Sequence, residues 1–111
     1  MARSSLDLLQ GTLDILVLKA LSWGARHGYA VASWIRETTE DHLNIEDGAL
    51  YTALHRMEQR GWLDAEWGLT ENNRKAKYYQ LSDAGRQELR EARGRWSKYA
   101  QAVFRVLEAR A

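Results

Sequence analysis

The chain reads as an α+β domain, mostly helical, built of three helices, a two-stranded hairpin and one long C-terminal helix. Three changes of pattern predict it. Apolar residues recur at helical spacing in three segments up to residue 61. They then alternate with period two on either side of a polar connection. From residue 82 to the end they return at heptad spacing.

The first helix is expected over residues 6–22, where Leu6, Leu9, Leu13, Leu16, Val17, Ala20 and Leu21 share a face and Gly24 stops the run. A turn through residues 24–28 leads into a second helix, about 29–38, with Tyr29, Ala32 or Ser33, and Ile35 as a short stripe. The third helix spans about 47–60. Leu50, Ala53, Leu54 and Met57 stand at i, i+3, i+4 and i+7 and turn one face to a core. Glu46 and Asp47 complement its positive N-terminal end, and Gly61 ends it.

Residues 62–67 and, more loosely, 77–81 alternate as strands. The polar stretch 68–76 between them makes a hairpin with a long tip. A lone hairpin is marginal in water, so this one must lean on the helices. Ser82 or Asp83 caps the last helix. Leu89, Ala92, Trp96, Tyr99, Val103 and Val106 follow at spacings of three and four. Such a stripe is costly in water and has to be covered, either by its own domain or by a second copy.

With 111 residues the chain has room for one domain of ordinary size, here 1–81, followed by the helix 82–111. Cysteine is absent, which excludes disulfides and thiolate metal sites and suits a reducing cytoplasm. No signal-peptide pattern opens the chain, and the longest apolar run is broken by Asp14 and Lys19, so a soluble, cytoplasmic protein without membrane contact is expected. Enzyme chemistry finds no inventory. His27, His42 and His55 lie on separate elements, no serine has a nucleophile motif around it, and residues 24–28 lack the strand and lysine of a phosphate loop. Neither metal nor cofactor is expected.

Three helices followed by a hairpin is the order of a winged helix-turn-helix, in which the third helix enters the major groove and the wing reaches phosphates or the minor groove. The net charge of +1 is low for such a role, so DNA contact has to come from local clusters. The hairpin tip supplies one, with Asn72, Asn73, Arg74, Lys75 and Lys77.

Three linked motifs resemble the PadR family of bacterial transcriptional regulators. They are His27-Gly28-Tyr29, then Gly48-Ala49-Leu50-Tyr51-Thr52-Ala53-Leu54-His55-Arg56-Met57-Glu58, then Arg74-Lys75-Ala76-Lys77-Tyr78-Tyr79-Gln80-Leu81 closing at Gly85. The family pattern is HGY, G[ST]LYPALxRLE and RRKYYxLTxxG, and the likeness runs from about Leu6 over nearly the whole chain. The resemblance implies a homodimer bound to double-stranded DNA at a palindromic operator, commonly as a repressor, with an effector releasing it. It places Gly48, Ala49, Tyr51 and Thr52 against DNA. Tyr51 is then a phosphate ligand or a packing residue against the wing. His55 and Arg56 complete the outward face, with Arg56 reaching a phosphate or a guanine edge or remaining a solvated charge. Tyr29 either donates to a phosphate or is a partly buried structural residue. Asn73, Arg74, Lys75 and Lys77 form the wing contacts.

Three positions depart from the pattern: Ala49 replaces a hydroxyl residue, Thr52 replaces proline, and Glu46-Asp47 precede the helix. The family's use of its last helix for dimerisation assigns Leu89, Ala92, Trp96, Tyr99, Val103 and Val106 to a subunit interface. Because some members bind flat aromatic compounds there, Trp96 is either interface core or the stacking partner of a small aromatic effector. Trp23, Trp34, Trp62 and Trp67 read as packing residues. Two rival functions stand beside this one, a winged helix used only for protein contact and a small-molecule sensor without DNA.

Overall fold

A computed structural model describes residues 11–111 and shows four helices around a small antiparallel sheet. Helix α1, Thr12–Ala20, buries Val17, Leu18 and Ala20; the expected start at residues 6–10 lies outside the described residues. Helix α2 is Gly28–Thr38 and α3 is Asp47–Gln59. Leu50, Ala53, Leu54 and Met57 are the buried residues of α3, as their spacing requires. Gly61, at φ 82°, ends that helix in the left-handed conformation that glycine adopts without steric cost.

The sheet departs from expectation. Strands β2, Leu63–Leu69, and β3, Lys75–Leu81, pair from Leu63 opposite Leu81 to Leu69 opposite Lys75. Both strands run further than their alternation indicated, and the connection shrinks to residues 70–74. A third strand, β1, Arg26–His27, lies where a turn was expected and pairs with Tyr79 and Tyr78, so that β3 is central. Two residues are too few to show a period. Their strand geometry comes from the open edge of β3, whose backbone groups need partners.

Helix α4, Asp83–Glu108, follows β3 directly. Ser82 caps it, its Oγ accepting from Gly85 N at 3.1 Å and donating to the Gly61 carbonyl at 2.5 Å. Ser82 N also donates to Trp62 O at 3.0 Å. One residue thus ties the start of α4 to the turn after α3. Removing the hydroxyl in Ser82→Ala should cost about 1–2 kcal/mol of stability, read as a lower urea midpoint with unchanged slope.

The core gathers Val17, Leu18 and Leu21 from the α1 segment, Val31 and Ile35 from α2, the four α3 residues, and Leu63, Tyr79 and Leu81 from the sheet. Burial pushes the Tyr79 phenol above its usual pKa. Leu89 of α4 packs on this same cluster. The proximal end of the heptad stripe is therefore covered by the chain's own domain, and only the part beyond it is left open.

Candidate nucleic-acid interface

The N-terminal turns of α3 present an open face. Gly48, Ala49, Tyr51, Thr52 and His55 are all exposed. Tyr51 leans across to α2, because Gly28 has no side chain. A Cβ at Gly28 would lie 2.7–2.8 Å from the Tyr51 ring and hydroxyl oxygen. Tyr51 is therefore both a packing residue and one whose ring edge stays open. Gly28→Ala should cost about 1–2 kcal/mol by displacing that ring. In a Tyr51→Ala background the same change should be neutral, or stabilising by up to about 1 kcal/mol, because alanine is the better helix former. Thermal melts of the four proteins complete the cycle.

His27 holds the start of α2 in place. Its Nδ1 accepts from Ala30 N at 3.2 Å, so the neutral ring carries its proton on Nε2. Its ring stacks on Tyr29 at 6.4 Å and meets Tyr78 of β3 edge-on at 5.3 Å. Tyr29 itself is 70% exposed, which sets aside the partly buried alternative.

The hairpin tip is closed by its own backbone. Thr70 N donates to Arg74 O at 2.8 Å and Asn73 N to Thr70 O at 2.9 Å. Arg74 N donates to Thr70 Oγ1 at 3.2 Å. Asn73 takes the left-handed conformation at φ 62°, which its short polar side chain tolerates. Arg74 and Lys75 are exposed beside it.

Lys77 is placed differently. It lies on β3 below the tip, and its Nζ donates to Glu58 Oε1 of α3 at 3.1 Å. That bond raises the lysine's pKa and holds the wing to α3. Arg56 is likewise engaged, its Nη2 donating to Asp14 Oδ1 of α1. Both cations serve as ties between elements in the free protein, whereas Arg74 and Lys75 at the tip make no such bond among the described residues.

Tyr29, Tyr51, Arg74, Lys75 and Lys77 border one cleft of about 1150 Å³ between the wing and the α2–α3 unit. Residues from three separate elements thus share one wall. Two cleft residues escaped the sequence reading. Arg26 arrives on the two-residue strand β1, for which no periodic signal exists. Trp67, read as packing, is 63% exposed, and so is Trp23 at a similar level. Trp67 shares a face of β2 with Leu63 and Ala65, but the core does not reach that far.

The opposite side carries the rest of the predicted residues. Beyond Leu89, α4 half-buries Ala92 and leaves Trp96, Tyr99, Val103 and Val106 exposed. Phe104 and Leu107 are exposed beside them and were missed, because the heptad template passes over both. Between α1 and α4 lies a second cleft of about 620 Å³, lined by Thr12, Asp14, Trp62, Trp96 and Tyr99 among others. Thr12 Oγ1 is buried there without a hydrogen-bond partner among the described residues. No group of three or more His, Asp or Glu side chains able to hold a metal occurs among the described residues. No described helix is long and apolar enough to cross a membrane.

Residues 17–91 match the family model described as the Transcriptional regulator PadR-like family. A solved PadR-family transcriptional regulator from Eggerthella lenta is 32% identical, with 91% of this chain and 86% of that one covered at a TM-score of 0.78. One from Clostridium difficile is 26% identical, covering 87% and 99% at 0.76. A Lysinibacillus sphaericus protein is 27% identical over 102 residues, 92% of this chain and 94% of its own. Fold, motifs and family model agree, and the chain belongs to the PadR-like family of transcriptional regulators.

Proposed function

We propose that this chain is a cytoplasmic transcriptional repressor that binds a palindromic operator as a homodimer and is released by a small aromatic effector. One observation carries the DNA reading: Tyr51 on the open N-terminal face of α3, Tyr29 at the start of α2, and the exposed wing-tip cations Arg74 and Lys75 border the same cleft. Tyr29 and Tyr51 offer hydroxyl donors to phosphates, while Gly48, Ala49, Thr52 and His55 let the α3 backbone approach the groove. Asn73 flanks the cationic tip. Arg56 and Lys77 reach DNA only by exchanging their carboxylate partners for phosphates, an exchange of one charge-assisted bond for another.

The uncovered stretch of α4, from Trp96 to Leu107, supplies the subunit interface. Two copies joined there set two α3 helices on one duplex, matching half-sites roughly 34 Å apart. Trp96, which lines the α1–α4 cleft with Tyr99 and Trp62, favours a planar aromatic ligand. Quenching of tryptophan fluorescence by such compounds, lost in Trp96→Ala, checks this site.

For DNA, the test is Arg74→Ala with Lys75→Ala, titrated against duplex DNA across a salt series. Two cations on each of two wings should lower the slope of log K against log salt by about 3.6, since each neutralised phosphate contributes about 0.9. An unchanged slope would remove the wing from the interface. No binding by the unaltered protein, even at low salt, would leave a protein-contact role for the fold.

A further inference from the structure

The hairpin carries apolar side chains where there is no core to receive them. Leu63, Ala65, Trp67 and Leu69 alternate along one face of β2. The first is buried and the second packs against the core, whereas Trp67 and Leu69 are 63% and 64% exposed. The hairpin runs for seven residue pairs from Leu63–Leu81 to Leu69–Lys75, roughly 20 Å of strand, and its distal end stands beyond the core. The inward alternation continues over that whole length. Solubility alone favours polar residues on such a projection.

The residues opposite are cations. Trp67 pairs across the strands with Lys77, and Leu69 with Lys75. Lys75 Nζ stands 6.0 Å from the centre of the Trp67 ring, so the indole face and the ammonium form one mixed surface. That surface is held rigidly. Tyr78 Oη donates to Leu69 O at 3.0 Å, and the tip beyond is closed by the Thr70–Arg74 bonds. It also opens on the cleft that Tyr29 and Tyr51 border.

An apolar plane interleaved with cations matches a surface in which apolar sugars alternate with phosphates. We infer that Trp67 and Leu69 pack against the deoxyribose faces of the DNA backbone while Lys75 and Arg74 neutralise the adjoining phosphates. The inference rests on the duplex reading above. It assigns the wing a non-electrostatic share of binding that is uniform over sequence, because every nucleotide presents the same sugar. Trp67 then works as a contact residue, distinct from the cations that steer the wing into place.

Salt separates the two contributions. A labelled mixed-sequence duplex of roughly three helical turns is titrated with the full chain, with Trp67→Ala, and with Leu69→Ser, by fluorescence anisotropy at several salt concentrations. Both side chains are exposed, so folding should be unaffected, which far-ultraviolet circular dichroism checks. Trp67→Ala should weaken binding about tenfold at every salt concentration, and Leu69→Ser about threefold, as expected for lost apolar burial. The lines of log K against log salt should stay parallel to that of the unaltered chain. Affinity unchanged in Trp67→Ala, with the unaltered chain binding normally, overturns the sugar contact and leaves the duplex reading intact. A flattened slope in Trp67→Ala also overturns it, since the indole would then act only by placing Lys75. Failure of the unaltered chain to bind removes the duplex reading itself, and this inference with it.

Discussion

Gly85→Ala should abolish the folded domain at physiological temperature, or lower its stability by at least about 3 kcal/mol. Gly85 stands in the first turn of α4, buried against the turn that follows α3. A Cβ there would fall inside the contact shell of the Trp62 carbonyl oxygen, 3.0 Å from its carbon and 3.4 Å from Leu81 Cδ2. Backbone gives way far less easily than a side chain, so α4 would have to lift from the sheet. The lift would stretch the Ser82 hydroxyl bond to the Gly61 carbonyl and the bond from Ser82 N to Trp62 O. It would also uncover Leu89 and Leu81. Several stabilising contacts fail together, so the loss should exceed that of Ser82→Ala alone. Urea unfolding of the two variants provides the comparison, and a Gly85→Ala midpoint equal to the original would refute the close approach.

Val103→Asp combined with Leu107→Asp should convert the protein to a monomer and weaken operator binding by a hundredfold or more. Both side chains are exposed on the distal part of α4, well beyond the last core contact at Leu89. The substitutions therefore leave the domain's own packing untouched. In a dimer they would bury four carboxylates in an apolar seam, where an unpaired charge is costly. Once the copies part, each binds one half-site alone. The gain from tethering two sites, about 10² to 10⁴ in affinity, is then lost. Sedimentation equilibrium at micromolar concentration reads the first effect, and titration with a palindromic duplex the second. A variant that remains dimeric would move the interface elsewhere on the surface.

The two predictions concern opposite ends of α4, and the helix connects two kinds of packing. Its first turns are fastened to the domain by Ser82 and Gly85, and its last turns extend away with apolar residues uncovered. The α1–α4 cleft lies between these regimes. Asp14 lines that cleft and accepts from Arg56 of α3. Glu58, half a turn further along α3, accepts from Lys77 of the wing. Cleft, α3 and wing are thus joined by two ion pairs, which would couple the proposed ligand beside Trp96 to α3 and the wing. Asp14 and Arg56 are only half-buried and such pairs contribute modestly to stability, so Asp14→Asn should change response to the proposed ligand more than melting temperature. The ratio of operator affinities with and without ligand checks this.

Much of the fold was legible in the chain. The i, i+3, i+4, i+7 stripe of α3 identified its four buried residues, and the shift to period two located the hairpin, because burial of one face imposes those periods directly. The link from sequence to function ran through the three motifs and held at the level of family. Other features had no local signature. Strand β1 exists because β3 offers an open edge, and a pairing between residues some 50 positions apart leaves no mark in a two-residue segment. Arg56 and Lys77 looked like free surface cations until the fold brought Asp14 and Glu58 beside them. Trp67 and Leu69 carry the same alternation as Leu63 and Ala65, yet only the length of the wing relative to the helices decides which pair is buried. The amino-acid sequence by itself determined the apolar periods and the helix ends, which are properties of neighbouring residues, whereas the close approaches at Gly28 and Gly85 join distant segments. The tertiary structure alone decided which charges are spent on one another and where the apolar faces outrun the core, because both depend on distances between segments that no local pattern encodes.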